Sequence, residues 1–134
     1  MFYSHALTIP AQTTKDDPED YDLQVTAGLL HRVEVEFPSG CAGLAHLVII
    51  RWGSQLFPTN PQGNFASDGR AIAFDDYYML EAAPYLLRLR GWNDDDSYSH
   101  TVTVRVGILP MAALAGQVEQ LSILKKLARL VGIK

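Results

Sequence analysis

The chain has 134 residues, 48% hydrophobic and 19% charged, with a formal net charge of −4. That is globular usage with room for one domain, and it excludes a disordered or fibrous chain. Its single cysteine, Cys41, excludes an intrachain disulfide and reads as a small buried apolar residue.

Phe2 to Ile9 alternates, with Tyr3, His5, Leu7 and Ile9 on one face of a strand. Pro10 stops it, and the polar, acidic stretch from Gln12 to Tyr21 reads as a surface loop. Asp22 to Thr26 alternates again, with Leu23 and Val25 inward. Leu29 to Phe37 carries the clearest pattern: Val33, Val35 and Phe37 oppose Arg32, Glu34 and Glu36, as in a half-buried antiparallel strand. Pro38-Ser39-Gly40 is a turn. Leu44 to Trp52 is an apolar run that fits a central strand buried on both faces. Phe57 to Gly69, with two prolines and two glycines, predicts a long loop. A short strand follows over Ala71 to Phe74, and Asp75 to Ala83 has no clear period. Tyr85 to Arg90 alternates, Gly91 to Ser99 reads as an acidic turn region, and Thr101 to Ile108 places Val102, Val104, Val106 and Ile108 inward. Seven or eight short strands with no helical period between them predict a mainly β protein, an antiparallel β-sandwich or jelly-roll-like domain over residues 1–110.

From Met111 the period changes to that of a helix, with Pro110 at the boundary. Residues 111–134 are predicted to form one C-terminal amphipathic α-helix. Its apolar stripe is Leu114, Val118, Leu121, Leu124, Leu127, Ala128 and Val131, and Ile123 and Leu130 lie off that stripe. The stripe has three readings: packing on its own sandwich, contact with another protein chain, or lying on a membrane surface. Apolar residues on more than one face favour the protein contact, which makes the stripe the predicted assembly surface. Charge divides at the same boundary. Up to Pro110 there are seven Lys and Arg against fourteen Asp and Glu; from Met111 there are four basic residues against Glu119 alone. The acidic body argues against nucleic-acid binding, which needs a basic face. No run reaches the roughly 18 apolar residues of a membrane span. Met1 to His5 lacks a basic-then-apolar leader, so synthesis in the cytoplasm is expected.

Catalytic signals are weak. His5, His31, His46 and His100 show no metal-ligand spacing. There is no phosphate loop, nucleophile elbow or Ser-His-Asp order. The acidic runs Asp16 to Asp20 and Asp94-Asp95-Asp96 read as solvated turns, with calcium at Asp94 to Asp96 left open. The expectation is a chain without catalytic residues, metal or cofactor. Trp52, Trp92, Tyr77, Tyr78 and Tyr98 are candidates for a sugar-stacking platform, with Trp92 the best placed, so a lectin-like module is the alternative.

Four stretches carry a family resemblance: Ala6-Leu7-Thr8-Ile9-Pro10-Ala11, Phe37-Pro38-Ser39-Gly40-Cys41-Ala42-Gly43-Leu44, Pro58-Thr59-Asn60 and Gly91-Trp92-Asn93-Asp94-Asp95. Over roughly residues 5–110 the chain resembles small β-sandwich virion structural proteins of tailed bacteriophages. The resemblance implies a capsid decoration (cement) protein or a head or tail accessory protein. It also implies a location in the virion, assembly as a homo-oligomer, and a major capsid or other virion protein as partner.

Overall fold

The computed structural model describes residues 1–116. The alternating stretches become eight strands: β1 Phe2–Ile9, β2 Glu19–Gln24, β3 Gly28–Glu36, β4 Ala45–Arg51, β5 Ser54–Phe57, β6 Ala71–Leu80, β7 Leu86–Asn93 and β8 His100–Pro110. They form two four-stranded antiparallel sheets, ordered β1-β8-β3-β6 and β2-β7-β4-β5. Within the set, β1 pairs with β8, β2 with β7, β3 with β6 and β4 with β5. The chain is thus one long nested hairpin, rolled so that its arms fall into two sheets. The β3–β8 and β4–β7 ladders close each sheet. This is the wiring of an eight-stranded jelly roll, in which most connections cross between sheets. Among the described strands only β4 and β5 are consecutive within one sheet, so their turn, Trp52-Gly53, is the tip of the rolled hairpin.

Period-2 burial explains the layering. Leu7 and Ile9 of β1, Val102, Val104, Val106 and Ile108 of β8, and Leu30, Val33 and Val35 of β3 face Leu23, Leu87, Leu89, Leu47 and Ile49 of the other sheet in one apolar core. Cys41 lies in that core. A bulge between Leu30 and Arg32 keeps both Leu30 and Val33 inward, where strict alternation would expose one of them.

Several boundaries differ from the sequence expectation. β2 begins at Glu19, inside the stretch read as loop, because Asp20 and Asp22 face Arg90 and Arg88 across the sheet. β6 continues to Leu80, and β7 runs through Gly91 to Asn93, so the acidic turn is shorter than expected. β5 was not anticipated. After Pro110, residues 111–116 are helical. No helix among the described residues is long and apolar enough to cross a membrane.

Candidate functional site

Of the predicted assembly stripe, Leu114 falls within the described residues and is half-buried on the 111–116 helix. Val118, Leu121, Leu124, Leu127, Ala128 and Val131 lie outside them.

One end of the sandwich is built from the 10–18, 37–44, 58–70 and 94–99 connections, and its polar groups are turned on one another. Asn93, 1% exposed, is the hub. Its Nδ2 donates to the carbonyls of Ile9 (3.2 Å) and Tyr98 (2.9 Å), and its Oδ1 accepts from the Asp95 amide at 3.0 Å. Asp95 in turn accepts from the Ser97 and Tyr98 amides and meets His100 Nε2 at 2.8 Å. The Ser97 amide, followed by His100, holds the Asp95 carboxyl below the ordinary carboxylate range. His46 bridges the same end, with Nδ1 on Asn64 and Nε2 on Asp94, both at 2.8 Å.

This geometry ties loops together. The carboxylates of Asp94, Asp95 and Asp96 are each engaged by different donors and do not converge on a common point. Among the described residues no group of three or more His, Cys, Asp or Glu is arranged to hold a metal ion. Asp95 and His100 are buried, which corrects the reading of the whole run as solvated turn. Burial, with Asp68 and Asp95 nearby, pushes the Cys41 thiol up, the opposite of what a nucleophilic cysteine requires.

The outer face of the β2-β7-β4-β5 sheet is amphipathic. Bidentate pairs join Arg88 to Asp22 and Arg90 to Asp20 across β7 and β2. Arg88 holds the Asp22 carboxyl below its usual value by hydrogen bonding. In register on the other side of Arg90 and Arg88 stand Val48 and Ile50. With Trp92 these two form a second apolar cluster, separate from the core.

The two tryptophans have opposite fates. Trp92, the favoured sugar platform, is only 6% exposed: His46 stacks on it with ring centroids 5.3 Å apart, and Lys15 Nζ lies 5.4 Å over its ring. Its outward position on β7 is covered by His46 from the neighbouring strand and by Lys15 from the 10–18 loop, which no local pattern records. Trp52 is 61% exposed. It holds φ +53° and Gly53 φ +74° in the two-residue turn between Arg51 and Ser54. A type I′ hairpin demands positive φ at both positions and favours Asn-Gly. A bulky residue there costs about 1 kcal/mol. The Arg51 guanidinium carbon sits 4.2 Å over the Trp52 ring, and Arg51 is itself pinned by the carbonyls of Ala82 and Pro84. Trp52, Gly53, Pro84, Leu86, Ile50, Asp22 and Arg88 line a groove of about 220 Å³. A second groove, lined in part by Lys15, Gln55, Arg90 and Trp92, shares Ile50 and Gly53 with the first.

The described fold is therefore a jelly roll whose polar groups are spent on loop closure at one end and on cross-strand ion pairs over both sheets, Arg88–Asp22 and Arg90–Asp20 on one and Arg32–Asp75 and Arg105–Glu36 on the other. No family model matches the chain, and no curated protein matches it.

Proposed function

We propose that this chain is a non-enzymatic structural protein of a virus particle, a capsid decoration or head–tail accessory protein that works by protein–protein contact. The observation that carries this reading is the nested eight-strand wiring, an architecture that recurs in viral capsid domains. Its weight is that of an architectural analogy, and the bacteriophage resemblance of residues 5–110 adds to it. The contact itself is assigned by the sequence, to the stripe from Leu114 to Val131. Symmetric copies joined through such a stripe multiply weak contacts into avidity for a particle surface. The partners on this reading are further copies of the chain and a capsid protein, met in the virion after synthesis in the host cytoplasm.

Light scattering on the full chain over a range of concentrations tests it. A closed oligomer such as a trimer, pentamer or hexamer is expected, shifted toward monomer by Leu121→Asp or Leu124→Asp. A strict monomer at every concentration, or an oligomer indifferent to both substitutions, overturns assembly through this stripe.

A further inference from the structure

The geometry points to a carbohydrate subsite in the groove beside Trp52, taking a neutral pyranose ring stacked on the open face of the indole. This goes beyond the assembly reading and does not depend on it.

Trp52 stands where the backbone favours Asn or Gly, and its exposure leaves it little burial to offset the unfavourable φ. Core packing does not account for an exposed indole at the tip of the rolled hairpin. The ring is also held in place. Arg51 lies against one face and is fixed by two main-chain carbonyls, so a ligand meeting the other face has little side-chain freedom to freeze.

The rest of the groove sets the ligand class. Ile50, Leu86 and Pro84 supply apolar surface, and the Asp22–Arg88 pair supplies an acceptor and a donor side by side. Each Asp22 oxygen takes one Arg88 N–H and keeps a second lone pair for a hydroxyl. The two charges cancel, which suits a neutral ligand over an anion. Asp22, Arg88 and Ile50 are successive neighbours on three strands, and Trp52 stands in the turn just beyond the end of β4. Strand spacing makes the span across those three strands about 10 Å. The groove is smaller than the roughly 300 Å³ at which pockets for drug-sized molecules begin. One six-membered ring with an apolar C–H face and a rim of hydroxyls fits both the size and the mixture. The adjoining groove continues past Gly53 toward Gln55 and Lys15, so a second sugar unit has a place and a linear oligosaccharide gains over a single residue.

Indole N–H signals in a nitrogen–proton NMR titration of the full chain provide the test, because one tryptophan is exposed and the other buried. The probes are the methyl pyranosides of glucose, galactose, mannose and N-acetylglucosamine, with maltose, cellobiose, lactose and chitobiose. At least one probe is expected to shift the Trp52 signal saturably, with the disaccharide tighter than its monosaccharide. Trp52→Asn, followed on the backbone amide signals of the groove residues Gly53, Leu86 and Arg88, is expected to weaken that binding by about tenfold or more. The same substitution suits the turn but gives up the Arg51 stack, two effects of similar size and opposite sign, so its unfolding midpoint stays close to that of the parent. A purely structural role for Trp52 predicts a clearly lower midpoint with sugar binding unchanged, and that result overturns the proposal. So does a panel that leaves Trp52 unshifted, undiminished binding by Trp52→Asn, or a smaller particle mass for that variant in light scattering, which would make the groove a contact between copies.

Discussion

Asn93→Ala is the substitution whose cost follows most directly from the structure. The side chain makes three hydrogen bonds, to the carbonyls of Ile9 and Tyr98 and from the amide of Asp95, and the residue is 1% exposed. A typical intramolecular hydrogen bond contributes about 1 kcal/mol net, and a buried donor left without a partner costs more. The expected loss is about 3 kcal/mol, a large part of the 5–15 kcal/mol that holds a domain together. Urea unfolding followed by circular dichroism reads it. With a slope of about 1.5 kcal/mol per molar, the midpoint falls by about 2 M at unchanged slope. Asn64→Ala is the control, since Asn64 serves only His46 among the described side chains and is not fully buried. A loss below about 1 kcal/mol for Asn93→Ala, or one equal to the control's, refutes the assignment of Asn93 as the hub of that end.

A Cβ on Gly91 would stand 2.5 Å from Ile9 Cδ1, so Gly91→Ala should cost about 1–3 kcal/mol, and Ile9→Val, which removes that methyl, should recover part of it in the double variant by urea unfolding. Gly28→Ala should cost more than Gly91→Ala, because its Cβ would run into the Leu109 carbonyl oxygen with φ at +154°, and backbone cannot swing aside. The Arg88–Asp22 pair is solvent-exposed, so a double-mutant cycle should give only a small coupling, further reduced in about 1 M salt. The Asp95 carboxyl is depressed in the folded chain relative to an ordinary 3.8, first by the Ser97 amide and then by His100. Its contribution is therefore fully present above about pH 4 and is lost as pH falls through the lower folded value. Unfolding midpoints across that acid range should fall more steeply for the parent than for Asp95→Asn, and parallel curves would contradict the role given to Asp95.

The strands with one face in the core were legible because alternation is a local property. Val102 to Ile108 and Val33 to Phe37 declared their inward faces residue by residue. The strands that were missed or shortened owe their form to neighbours. Glu19-Asp20-Tyr21 is too polar to read as strand until Arg90 stands opposite the Asp20 carboxylate. On β6 the alternation of burial runs on through Asp75-Asp76, but Asp76 takes the position where Ile72 and Phe74 are apolar, so the residue types hide the period. The signal for β5 lies in Gly53 followed by Gln55 and Phe57, but the apolar run of β4 continues into Trp52 and conceals the turn.

The groove illustrates the same division. The sequence favours Trp92 over Trp52 as a platform, and only the covering of Trp92 by His46 and Lys15 reverses that order. Alternation determined which side chains of each strand face the core, the sandwich class, and the change of period at Met111. Strand order, the pairing of β1 with β8 almost the full length of the body away, and the exposure of the hairpin tip were decided by tertiary structure. The physical reason is that a period of two assigns a residue to a face without naming the strand beside it, while burial on an outer face depends on loops that reach it from distant parts of the chain.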